Sequence, residues 1–103
     1  VHFWASWCPV CRLEQNSIDS IASDREVITI ATNSGSADEI NAYLDEHGLA
    51  MRVLIDETGE IARHWGATGV PASFIVDRDG RITYAGMGYA TEIGLRVRLW
   101  LAE

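Results

Sequence analysis

The residues best suited to chemistry are Cys8 and Cys11, the only two cysteines, in the run Trp7-Cys8-Pro9-Val10-Cys11. An apolar run precedes them and a helix-type pattern follows, which puts Cys8 at a helix N-terminus and Cys11 one turn further on. Side chains three apart on a helix are neighbours, so the sulfurs can come within bonding distance with little backbone rearrangement. Pro9 suits the first helical turn, where a missing N–H is no loss and the preset φ holds the start of the helix. Cys8 then faces unpaired backbone N–H groups and the positive end of the helix dipole, both of which favour thiolate over thiol. Cys11 shares a helical face with Ile18 and Ala22 and is expected to point toward the core. The chemistry this pattern supports is reversible disulfide exchange, in which Cys8 attacks and Cys11 resolves.

Other uses of two cysteines fit less well. A bridge closing so small a loop adds little stability, because the entropic effect grows with loop length. Zinc wants four ligands, and His2, His47 and His64 lie scattered, without paired ligand spacing. Copper(I) held by both thiolates is the alternative that keeps the same residues, since soft sulfur suits that ion. No organic cofactor and no resident metal are expected.

The 103 residues amount to one domain, residues 1–103, with a single modest core. Apolar residues make up 48% and charged residues 22%, within the range of folded globular chains. The net charge of −7 reflects fifteen acids against eight arginines, with no lysine. That balance argues against nucleic acid or anionic lipid as a partner, because both need a basic patch, and it removes lysine from the possible catalysts. There is no apolar stretch long enough to span a membrane and no charged-then-apolar leader. A start at Val1, already inside a strand, suggests an excerpt of a longer protein whose anchor or export signal lies upstream.

The elements that must position the pair follow from periodicity. Val1–Ala5 and Glu26–Thr32 read as buried strands, continuous in apolar or β-branched residues. Pro9–Ala22 is a helix between them. Ser36 is placed to cap a second helix, in which Ile40, Tyr43, Leu44 and His47 share a face and Gly48 closes the end. Arg52–Asp56 is a short strand and Thr58–Trp65 a short helix. A loop with two glycines and a proline, Gly66–Pro71, enters the strand Ala72–Asp77, and the Asp77–Gly80 turn joins it to Arg81–Ala85 as a hairpin. A last helix, Thr91–Ala102, sets Ile93, Val97, Trp100 and Leu101 on one side. Of the four tryptophans, Trp7 alone is expected outside the core. The order is that of an α/β fold: a central mixed sheet flanked by helices on both faces.

Phe3-Trp4-Ala5-Ser6-Trp7-Cys8-Pro9-Val10-Cys11, the downstream Gly69-Val70-Pro71 and the Asp77–Gly80 hairpin together resemble the thioredoxin superfamily. Within it they look most like the TlpA/DsbE-type thiol:disulfide oxidoreductases, and the run CPVCRLEQNSIDSIA is similar to the suppressor for copper sensitivity protein D group. The resemblance implies a thioredoxin-like fold, lacking here the hairpin that usually precedes the first strand. It implies that Cys8 is the nucleophile, Cys11 the resolving thiol and Pro71 a cis proline beside them. Val70 would present its backbone to an extended substrate segment, with Trp7, Pro9 and Val10 on the substrate-facing surface. It further implies an extracytoplasmic, periplasmic reductant that meets protein dithiols and disulfides and is served by a membrane thiol partner. Where thioredoxin has a buried aspartate and TlpA-type members commonly asparagine, this chain has His2, a candidate proton relay for Cys11. The plainer reading of His2 is a core histidine with one nitrogen satisfied. Glu14, three residues after Cys11, is a second candidate relay, against the plainer reading of a solvated helix carboxylate.

Overall fold

Strand-rich and helix-rich segments alternate along the chain. The computed structural model describes all residues from Val1 to Glu103. Its elements are β1 (His2–Trp4), α1 (Pro9–Ala22), β2 (Thr29–Thr32), α2 (Ala37–His47), β3 (Val53–Asp56), α3 (Glu60–His64), β4 (Ala72–Val76), β5 (Ile82–Met87) and α4 (Glu92–Ala102). The five strands form one sheet in the order β3-β2-β1-β4-β5. Helical crossovers return the chain in the same direction, so β1, β2 and β3 run parallel. β4 lies antiparallel to β1, and the turn after Asp77 makes β5 antiparallel to β4. This geometry creates the site. The C-terminal ends of β1 and β2 and the N-terminal end of β4 all lie at one edge of the sheet, so the cysteine turn, the Asn33–Gly35 loop and the Val70–Pro71 segment converge there.

Side chains alternate across a strand, and β1 therefore supplies both cores. Trp4 faces the core shared by α1, α2 and α4, with Cys11, Ile18, Ile21, Ala31, Ile40 and Leu95. Phe3 faces the opposite core with Ile30, Ala62, Ala72 and Phe74 under α3. Helix ends follow local chemistry. Ser36 and Glu39 form a capping box at the start of α2, and Gly48 ends it at φ 64°, a left-handed conformation that glycine adopts without a Cβ clash.

Several boundaries differ from the sequence expectations. Glu26–Ile28 is not strand, because β2 finds partners only from Thr29, which pairs with His2 of β1 and Val53 of β3. β5 runs on to Met87, which pairs with Ala72. The expected α4 stripe is on the outside: Ile93, Val97, Trp100 and Leu101 are exposed, and Leu95, with half-buried Leu99, turns inward. Trp100 thus joins Trp7 outside the core. Glu92 and Arg96 on one side and Arg98 on another divide the helix into two apolar stripes, so periodicity alone offers both, and contact with α1 and β4 decides between them.

Candidate active site

Cys8 is the residue at which the chain changes from extended to helical. At φ −87° and ψ 116° it caps α1, with Pro9 in the first helical turn. Its Sγ accepts the Cys11 backbone N–H at 3.2 Å, doing with sulfur what a serine or aspartate oxygen does at an ordinary N-cap. An N–H donated to sulfur stabilises negative charge there. The same thiol lies 3.8 Å from the Val70 carbonyl oxygen, the acceptor toward which its S–H points. The Val70–Pro71 peptide is cis, and Gly88 N–H donates to the Pro71 carbonyl at 2.7 Å, fixing this segment to the end of β5. Both cysteines are free thiols and both are buried. Around them Trp7, Pro9 and Val10 are exposed, Val70 is half-buried and Pro71 is buried. The structure thus gathers Trp7, Cys8, Pro9, Val10, Cys11, Val70 and Pro71 at one edge of the sheet.

The two thiols have different surroundings. Burial pushes the Cys11 thiol up to about 12 from 9.0, and the neighbouring Cys8 and the Glu14 charge push the same way. Cys11 therefore holds its proton at neutral pH and needs an acceptor before it can attack.

Behind Cys11 lies a polar group inside an otherwise apolar core. His2 shares the sheet face of Trp4, two residues on, and so lies beneath α1. Glu14, on the inner face of that helix, is wholly buried, contrary to the solvated carboxylate that its sequence position also allowed. His2 Nε2 stands 3.1 Å from Glu14 Oε1, and His2 Nδ1 stands 2.9 Å from Ser73 Oγ. Only Nδ1 has a hydrogen-bond partner, as in a core histidine with one satisfied nitrogen, and Nε2 faces the Glu14 carboxylate without a hydrogen bond. Glu14 Oε2 accepts the Ala90 N–H at 3.0 Å. Oε1 receives no hydrogen bond of good geometry, so one carboxylate oxygen beside the imidazole is left without a donor. Ser73 was not singled out from the sequence. Its signal was parity: in Ala72–Val76 it is the one polar residue, on the face opposite Phe74.

The turn before Cys8 has further holds. Ser6 N–H donates to Ser34 Oγ at 3.0 Å, Trp7 Nε1–H to the Asn33 carbonyl at 2.9 Å, and Arg12 Nε–H to the Ser6 carbonyl at 3.1 Å. In the Asn33–Ser36 segment sequence reasoning singled out only Ser36, as the cap of α2. His47 stacks on Tyr43 and His64 is exposed, and no three His, Cys, Asp or Glu side chains are grouped so as to hold a metal ion.

Comparison with known proteins matches residues 1–96 to the Redoxin family. The chain belongs to that family. It is 30% identical over 104 residues to a thioredoxin-like protein of Haemophilus influenzae, across 100% of this chain and 62% of the relative. It is 35% identical over 89 residues to the thiol:disulfide interchange protein DsbE homolog of Paracoccus denitrificans, across 85% of this chain and 49% of the relative. The chain thus spans about half to three-fifths of these relatives' length. Among solved structures, the exposed lipoprotein thioredoxin Etrx1 of Streptococcus pneumoniae superposes with a TM-score of 0.82 at 22% identity, over 97% of this chain and 81% of that one. The fold is thioredoxin-like, as the cysteine motif and the Val-Pro loop implied.

Proposed function

We propose that this chain is a thiol:disulfide oxidoreductase acting on protein substrates through Cys8 and Cys11. The reading rests above all on one observation: the Cys8 sulfur sits at the head of α1, between the Cys11 N–H and the Val70 carbonyl next to cis Pro71. In the reducing direction the Cys8 thiolate attacks one sulfur of a partner's disulfide. That S–S bond breaks, the other partner sulfur leaves as a thiolate, and a mixed disulfide joins Cys8 to the partner. Cys11 then gives up its proton and attacks the Cys8 sulfur. The partner departs with two electrons gained, and the Cys8–Cys11 bridge holds the oxidised state. The reverse sequence oxidises a dithiol, and relative reduction potentials set the direction.

Glu14 and His2 serve the second step as proton relay. Oε1, with no donor of its own, is the acceptor open to the Cys11 proton, and His2 Nε2 beside it can share that proton. Trp7, Pro9, Val10 and Val70 form the surface on which the substrate segment lies. The reducing direction, with recharging by a membrane thiol donor, is proposed on the TlpA/DsbE-type resemblance of the cysteine motif. A place outside the cytoplasm, in the periplasm, is proposed on the resemblance to TlpA/DsbE-type proteins.

The test is insulin reduction with dithiothreitol as electron source. The protein should accelerate reduction, Cys8→Ser should abolish the acceleration, and Cys11→Ser should accumulate mixed disulfides recoverable on a non-reducing gel. Stoichiometric copper(I) binding by the reduced protein with no disulfide reduction would replace this reading with copper handling by the same sulfurs.

A further inference from the structure

We infer that the Asn33–Ser34 loop between β2 and α2 is a second wall of the substrate surface, with Ser34 as the residue that positions Trp7 against it. The inference rests on the oxidoreductase reading and adds to it residues that neither the cysteine motif nor the Val-Pro loop contains. A row of contacts crosses the site edge: the Val70 carbonyl meets the Cys8 thiol, Trp7 adjoins Cys8 in the chain, and the Trp7 indole N–H meets the Asn33 carbonyl. Trp7 is 59% exposed, yet its one polar atom is bonded to backbone. An aromatic side chain left this open keeps its rotamers unless something holds it, and ordering it in advance removes that entropy loss from binding.

The loop has the construction of a holder. Asn33 sits at φ 51°, the one non-glycine residue of the chain with positive φ. Asparagine tolerates this conformation better than most residues, but it is maintained only where the surroundings impose it. They do so from two sides. Asn33 N–H donates to the Asp56 carbonyl at 2.9 Å, and its amide lies against Gly59, where an added Cβ would come within 3.0 Å of Nδ2. Ser34 Oγ then completes a clamp, accepting Ser6 N–H at 3.0 Å while donating to the Thr32 carbonyl at 2.9 Å. One hydroxyl thus joins the end of β2 to the residue before Trp7. The surface this builds is an aromatic face between two lines of main chain, Val70 on one side and Asn33 on the other. It fits an extended polypeptide with an apolar side chain next to its disulfide.

The experiment compares Ser34→Ala, Ser34→Thr and wild type on two substrates: insulin, and hydroxyethyl disulfide, which reaches Cys8 without a flanking polypeptide. Ser34→Ala should lower the ratio of the insulin rate constant to the hydroxyethyl disulfide rate constant by about three- to tenfold, the factor expected from one ordinary hydrogen bond. Most of the loss should lie in KM. Ser34→Thr, which keeps the hydroxyl, should restore the ratio. In a ¹⁵N NMR spectrum the Trp7 indole signal, assigned through Trp7→Phe, should shift and exchange faster in Ser34→Ala. As a second route, Asn33→Gly should degrade both readouts less than Asn33→Ala, because only glycine takes positive φ freely. An unchanged ratio and indole signal in a folded Ser34→Ala protein overturns the inference and leaves the oxidoreductase reading standing. A wild type inactive on both disulfides overturns both.

Discussion

The two faces of the sheet are built from the same strands to opposite ends. Under α3 the aromatic side chains interlock: Phe3 and Phe74 meet edge to face at 5.7 Å between ring centroids, and Trp65 lies 5.3 Å from Phe74. Under α1 the packing is interrupted by His2, Glu14 and Ser73, all buried. Burying polar groups costs stability unless they are bonded: on the α3 side the buried Asp56 is fully paired, accepting from Thr32 Oγ1 and from the Ile61 and Ala62 N–H groups, whereas on the cysteine side Glu14 Oε1 has no donor. His2 and Phe3 are consecutive, as are Ser73 and Phe74, so one residue step decides between proton chemistry and packing. The lesson is that a strand's alternation lets a small sheet stabilise itself on one side and hold a reactive, less stable arrangement on the other.

Breaking each face separately should give different failures. The largest effect belongs to the reactive side: Cys8→Ser should bring insulin reduction down to the uncatalysed background while thermal unfolding of the reduced protein changes little. Phe74→Ala strikes the packed side and should cost about 3 to 5 kcal/mol in denaturant unfolding, with the Cys11 titration unmoved.

The reactive side should also show itself in pH. Cys11 keeps its proton in the folded protein well above 9.0, where the unfolded thiol loses it. Its contribution to stability is fully present below pH 9 and is lost as pH rises toward about 12, by up to about 1.4 kcal/mol per pH unit. Unfolding of the reduced protein across that range, compared with Cys11→Ala, should show the slope only where the thiol is present. The smallest effect is the sharpest. Glu14→Gln removes a charge that holds the Cys11 proton on, so the Cys11 titration should move down, yet resolution of a mixed disulfide at pH 7 should slow by about three- to tenfold, as expected for losing one charge-assisted proton contact. A downward titration with no slowing would reduce Glu14 to a packing residue.

The cysteine pair, the helix that carries it and the approach of the Val-Pro loop were legible because each has a local cause: Pro9 starts a helix, Gly69 and Pro71 break one, and the strands around them are continuous in apolar residues. Glu14 was legible as a candidate but not as buried, since spacing puts it near Cys11 without saying what covers it. The cover comes from β1 and from Ala90 at the foot of α4, far away in sequence. The Asn33–Ser34 clamp was hidden for a similar reason. Its partners, Ser6 and Trp7, lie 28 and 26 residues away, and nothing local distinguishes this serine from any other loop serine. α4 misled outright, because Ile93, Val97, Trp100 and Leu101 make a better stripe on paper than Leu95 and Leu99 do.

The central claim is an asymmetry between two thiols three residues apart, and competitive alkylation measures it directly. The fully reduced protein is treated at pH 7 with less than one equivalent of iodoacetamide and the labelled cysteine is identified by peptide mass spectrometry. The account predicts that nearly all label is on Cys8, with Cys11 labelled only as pH approaches 12. Equal labelling at neutral pH, or preference for Cys11, would contradict it.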